Sequence, residues 1–295
     1  FGSTCTGSAW YCVERAIEHA RTRHQFKQPI GNFHLVREKL ARMAAYTYAM
    51  DAMTQLTAGL VDRGEEDYML ETAMLKVFAS DHQWQVLYDT MQIFGGRSFF
   101  TDEPFERMMR DARLNTIGEG SNDVLRAFIG LVGMRDVGMK FKAVADTLKA
   151  PSAGIGKIFG LGRDSLRKWF VTPEVPVKSP ELYEEAKALS ERVRNFGLGV
   201  QRLIIHYRED VMDQQLELNR IAEAAMHLYG MTAVLSKLEM KLQAGKREEK
   251  ELAMGKYYCR LALDTIDASL NTLASGKIDK ETLALANTLL AQPAP

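Results

Sequence analysis

The stretch Phe33–Val61, FHLVREKLARMAAYTYAMDAMTQLTAGLV, decides the fold. It contains no proline and is rich in Ala, Leu and Met, which are good helix formers. Phe33, Val36, Leu40, Met43, Ala44 and Ala45 fall on one stripe at the helical period. The pair Arg63-Gly64 ends the run as a helix stop.

The same pattern extends in both directions. Upstream, a helix is predicted from about Thr6 to His24, with Ala9, Cys12, Val13, Ala16 and Ile17 on its apolar face. Downstream, a third spans about Asp67 to Phe94 and stops at Gly95-Gly96. A turn with Pro104, a short helix near Phe105 to Arg110, a loop at Asn115 to Gly120 and a helix from about Asn122 to Leu131 follow. The segment Pro151 to Pro180 reads as a boundary. Three more helices are predicted beyond it, at about Pro180 to Tyr207, Val211 to Ala244 and Glu248 to Ser275. No stretch alternates as a strand does. The expectation is an all-α fold: an antiparallel four-helix-type bundle followed by a second C-terminal helical bundle. The expected division is 1–135, a linker at 136–180, and an extension at 181–295.

Composition narrows the function classes. The 295 residues are 46% hydrophobic and 26% charged, enough for a sizeable core. Lys plus Arg, at 38, equals Asp plus Glu, at 38, so no global field gathers nucleic acid. Cys5, Cys12 and Cys259 form no CxxC pair and read as small apolar residues in a reducing compartment. The six histidines are scattered, and no metal site is expected. No apolar run is long enough to span a bilayer. The chain starts at Phe1 rather than Met and is read as a fragment or a processed chain.

Four local features can carry chemistry, and each also has a plain structural reading. Arg23-His24-Gln25-Phe26 places an arginine at a helix end, where it can hold a phosphate or simply complement the helix terminus. Gln92-Ile93-Phe94-Gly95-Gly96 lets backbone approach a ligand, or only stops a helix. Gly118-Glu119-Gly120-Ser121-Asn122-Asp123 sets a carboxylate between two glycines. Such a group suits a base if apolar surroundings raise its pKa; otherwise the segment is a turn with Ser121 or Asn122 capping the next helix. Ile155 to Phe170, IGKIFGLGRDSLRKWF, mixes basic and apolar residues. It suits a membrane-interface helix, with Ile158, Phe159, Trp169 and Phe170 inserted, or a linker helix packed on the bundle.

Arg23-His24-Gln25-Phe26 with Pro29-Ile30, then Gln92 to Gly96, then Met109 to Arg113, then Glu119 to Arg126 occur in an order and spacing that resemble the C-terminal helical domain of acyl-CoA dehydrogenases. The resemblance covers about the first 135 residues, and the helical region beyond Pro151 resembles the extension of the very-long-chain branch. It implies a flavoprotein that converts long-chain acyl-CoA to trans-2-enoyl-CoA in β-oxidation. Glu119 is then the catalytic base, with Gly120 beside the substrate. Arg23, Gln25, Phe26, Gln92, Gly95 and Gly96 meet the FAD of a neighbouring subunit, and Ser121 and Asp123 contact FAD just after the base. The resemblance further implies a homodimer or higher homo-oligomer and electron-transfer flavoprotein as acceptor. It points to the bacterial cytoplasm or the mitochondrial matrix, with peripheral membrane contact through Ile155 to Phe170. Three positions depart from the family pattern: Lys27 and Ser98 stand where glycine is usual, and Gly118 stands where an aromatic usually precedes the base. The alternative kept open is a non-catalytic helical membrane-docking or assembly module of the same family.

Overall fold

In the computed structural model, residues 1–134 and 173–291 are described. The segment Ile155 to Phe170, and with it Ile158, Phe159, Trp169 and Phe170, lies outside them. The described residues form α1 (Gly2–Thr22), α2 (His34–Asp62), α3 (Met69–Phe94), α4 (Phe105–Asn115) and α5 (122–134). They continue with α6 (Tyr183–Tyr207), α7 (Gln215–Gln243), α8 (Glu249–Asn271) and α9 (Lys277–Leu290). A two-residue strand pair, β1 (His24–Gln25) and β2 (Gln28–Pro29), makes a small hairpin between α1 and α2.

Helical periodicity accounts for the first bundle. Cys5, Ala9, Cys12, Val13 and Ala16 on α1 are buried, spaced so that one stripe faces inward. Met43, Met50 and Met53 of α2 and Phe78, Val86 and Leu87 of α3 close the core against that stripe. Methionine's flexible thioether fills such irregular gaps well. The helices run up, down and up. Gly2 lies against Leu75 and Thr54, while His19 stacks on Phe94 with ring centroids 4.1 Å apart, so α1 and α3 are parallel and α2 opposes them.

The all-α reading holds, and the extension is bound tightly to the first bundle. α7 and α8 both pack on α2. One continuous apolar cluster runs from Cys5 and Phe78 through Met226 and Tyr258 to Ile266. At its centre Tyr46, Phe78 and His82 of the first bundle meet His227 and Tyr258 of the extension in a group of aromatic rings. Gly130 on α5 shows how close the helices come, since a Cβ there would sit 2.6 Å from the Leu218 carbonyl oxygen. The three cysteines are buried and free, as small apolar residues would be; burial pushes the Cys5 thiol up to about 11 and those of Cys12 and Cys259 up to about 12.

One helix escapes the sequence reading. α9 follows the left-handed Gly276 (φ 56°), and among its described side chains none is buried. Its tie to the body is a paired contact from Arg220 to Asp279 at 2.7 and 2.6 Å. The sequence shows no break strong enough to separate it from the tail, because its leucines find no core to face.

Candidate functional site

The loop between α4 and α5 is a tight left-handed turn. Gly118 N–H donates to the Leu114 carbonyl at 2.8 Å, and Asn122 N–H donates to the Thr116 carbonyl at 3.0 Å. Between these bonds Glu119 has φ 55° and Gly120 φ 89°. The left-handed region costs a non-glycine residue about 1–2 kcal/mol, so the surrounding structure must hold Glu119 there. The carboxylate at the apex is exposed, with Gly120 and Asp123 also exposed and Ser121 half-buried. The described residues alone do not form the dry pocket that the sequence reading asks for around a base.

A buried polar network grips this turn from below. Lys76 of α3 is 6% exposed, and its Nζ donates to the Gly120 carbonyl at 2.8 Å and to Asn122 Oδ1 at 2.7 Å. Burial pushes the Lys76 ammonium below its usual range, with Asp81, Cys5 and Glu119 opposing that shift. Asn122 Nδ2 donates to Ser80 Oγ at 2.9 Å and to Asp81 Oδ1 at 2.7 Å. Arg126 then bridges Asp81 at 2.6 Å and Glu223 of the extension at 2.7 Å. Sequence reasoning did not single out Lys76, Asp81 or Glu223. A lysine between Leu75 and Val77, in a helix with an inward apolar face, is the signal that would have found the first of them.

The other predicted residues gather at the opposite end of the bundle. The hairpin after α1 turns at Phe26 (φ 51°) and Lys27 (φ 67°), so the position where the family usually has glycine is indeed left-handed. Arg23, Gln25 and Phe26 are exposed, and Phe26 is 85% so. At the end of α3, Gln92, Gly95 and Gly96 are exposed, and Gly95 has φ 63°. Ser98 is buried, and its hydroxyl donates to the Gly95 carbonyl at 2.8 Å and the Met91 carbonyl at 3.1 Å. Serine at that position therefore ties the turn internally. The stack of His19 on Phe94 joins the two segments. An open depression of about 240 Å³ lies between them, lined by Arg15, Glu18, His19, Thr22, Phe94 and Arg97. Buried Glu103 takes Arg97 at 2.6 Å and Arg15 at 3.9 Å. Burial, then the nearby Arg97 and Arg23, lower the pKa of His19.

The two groups are therefore separated within one chain. From Lys76 to Gln92 is sixteen residues of α3, about 24 Å at 1.5 Å per residue. The Arg23 and Gly95 segments are brought together, and Glu119 with Ser121 and Asp123 stands apart from them.

Residues 1–133 match the family model described as acyl-CoA dehydrogenase, C-terminal domain, and residues 180–292 match ACAD9/ACADV, C-terminal domain. The very long-chain specific acyl-CoA dehydrogenase, mitochondrial, of Rattus norvegicus is 30% identical over 284 residues, which is 95% of this chain and 43% of that protein. The Homo sapiens protein of the same name is 32% identical over 79% of this chain and 36% of its own length. The chain thus spans less than half the length of these curated relatives. A crystal structure of acyl-CoA dehydrogenase complexed with FAD from Bacillus anthracis shares the fold, with a TM-score of 0.76 at 24% identity, over 100% of this chain and 51% of that one. Through its two matched domains, the chain belongs to the acyl-CoA dehydrogenase family and carries that family's C-terminal helical part.

Proposed function

We propose that this chain is the helical part of an FAD-dependent enzyme that converts long-chain acyl-CoA to trans-2-enoyl-CoA in fatty-acid β-oxidation, with Glu119 as the base. The observation that carries this reading is the exposed Glu119 carboxylate at the apex of a left-handed turn that buried side chains hold in place. A carboxylate presented on a fixed backbone can reach the carbon next to a thioester without reorganising.

Glu119 takes the α-proton, and its own backbone N–H donates to the thioester oxygen as negative charge builds there. Gly120 leaves room for the substrate beside the base. Glu119 is exposed among the described residues, so exclusion of water has to come from surfaces packed over the turn. FAD, when bound, accepts the hydride from the β-carbon. Ser121 and Asp123 lie directly after the base and suit contacts to that same cofactor.

The far end of the bundle fits a second FAD, held for a neighbouring subunit. A Cβ at Gly95 or Gly96 would meet nothing within 4 Å, so backbone there is open to close approach by a dinucleotide. Arg23, exposed at the end of α1, suits the pyrophosphate, with Gln25 and Phe26 beside it and Gln92 toward the adenosine. The roughly 24 Å between the two ends favours a homodimer or higher homo-oligomer, each copy completing its neighbour's site. The same reading takes electron-transfer flavoprotein as electron acceptor and sets the protein in the bacterial cytoplasm or the mitochondrial matrix. Peripheral membrane contact would fall to Ile158, Phe159, Trp169 and Phe170.

The test is Glu119→Gln in the full-length protein. Dehydrogenation, assayed with acyl-CoAs of graded length and an artificial electron acceptor, is expected to fall about a thousandfold or more while bound FAD is kept. Turnover near the wild-type rate sinks the assignment.

A further inference from the structure

We propose that Lys76 is a positioning residue for the base, its buried ammonium clamping the Glu119–Gly120 turn in its left-handed form. The proposal rests on the reading of Glu119 given above. Lys76 is 6% exposed on the inward face of α3, where a charge is costly unless it is paired and hydrogen-bonded. Its two acceptors are the Gly120 carbonyl at 2.8 Å and the Asn122 amide oxygen at 2.7 Å, both neutral. Such an ion gains less from its partners than one facing a carboxylate, so stability alone is a poor reason to bury it. What the ammonium supplies is geometry. It has three donors on one atom and reaches two acceptors at the C-terminal end of the turn along a flexible stem. Holding the Gly120 carbonyl and the Asn122 side chain fixes the peptide that follows the turn's strained pair, Glu119 (φ 55°) and Gly120 (φ 89°), while the bond from Gly118 N–H to the Leu114 carbonyl fixes the side that precedes it.

The clamp is itself anchored. Asn122 is buried and held by Ser80 and Asp81 of the same α3 that carries Lys76. Asp81 is joined through Arg126 to Glu223 on α7. The turn is therefore referenced to a rigid helix of the first bundle and, through it, to the extension. Without Lys76 the Gly120 carbonyl loses its donor, and the Glu119–Gly120 pair is free to relax toward ordinary backbone angles.

Lys76→Met keeps most of the side-chain length and removes every donor. In full-length protein, normalised to bound flavin, the single-turnover rate of flavin reduction by acyl-CoA is expected to fall at least tenfold with KM changed less than threefold. A merely structural defect would lower the amplitude of that reaction, by shrinking the competent fraction, and leave the rate of the remainder alone. Hydrogen–deuterium exchange gives a readout independent of chemistry: amides of 118–122 should exchange at least tenfold faster in the variant, with those of 80–90 on α3 unchanged. A rate loss below tenfold, or unchanged exchange across the turn, overturns the proposal. Should Lys76→Met not accumulate as folded protein, Lys76→Gln carries the same two readouts, with a threefold threshold in each. If the wild-type protein itself fails to reduce flavin with acyl-CoA, the functional reading fails. The exchange result then still decides whether Lys76 holds the turn.

Discussion

The two ends of the first bundle solve one problem in opposite ways. At the Glu119 end, a non-glycine residue with φ 55° is held by a network in which buried Lys76 and Asn122 are backed by part-buried Asp81 and Arg126. At the Arg23 end, Phe26 and Lys27, with φ 51° and 67°, sit on an exposed two-residue hairpin turn. The strain is of the same kind, but one turn is braced by the core and the other by four residues of strand pairing. A braced turn suits a group that must be presented at a fixed place. A hairpin whose turn is exposed suits a surface that meets another molecule.

The largest effect that tests this contrast should come from cutting the brace. Arg126→Met leaves Asp81 and Glu223 facing each other without the cation between them. Arg126 is 16% exposed and its partners 34% and 29%, so the expected loss is about 3 kcal/mol rather than the larger cost of a fully buried pair. Urea unfolding measures it, and a loss below about 1 kcal/mol would mean the network contributes little.

Acid probes the seam between the first bundle and the extension. Burial lowers the His227 pKa from 6.5 to about 4, and the nearby Arg126 adds to the shift. The unfolded chain then binds more protons between those values, so stability falls as pH drops from about 6.5 toward 4. His82, half-buried beside it and also lowered, acts with the same sign. The expected loss over that window is about 2–3 kcal/mol from His227. His227→Phe should flatten the curve, and an unchanged slope would show that the seam does not sense its protonation.

The smallest effect separates the two turns directly. Glu119→Gly and Lys27→Gly should each relieve about 1 kcal/mol of left-handed strain. The stability gains should match while the activities diverge, with dehydrogenation lost in the first and nearly kept in the second. Equal activities would erase the distinction between a presented base and a contact surface.

Much of the fold was legible in local spacing. The bounds of α2 and α3 lie within two residues of the predicted ones, because their apolar stripes and the Arg63-Gly64 and Gly95-Gly96 stops are written in consecutive residues. α9 was not legible, since a helix with no buried side chain among those described leaves no inward stripe to read. The candidate site was half legible. Glu119 between glycines and the exposed Arg23 and Gly95 segments stood out by order and chemistry. Lys76 did not, because the acceptors that explain it lie 44 and 46 residues further along the chain.

By itself the sequence determined the helices, their stops and the family resemblance, all of which rest on residues a few positions apart. Tertiary structure alone decided which ends of those helices meet. It put the Arg23 and Gly95 segments side by side, set Glu119 at the far end, and ran Arg126 across to Glu223, 97 residues away. The reason is physical. A helical period fixes which face of a helix is buried, but which helix covers that face depends on shape and charge matching between distant segments, and no local window contains both partners.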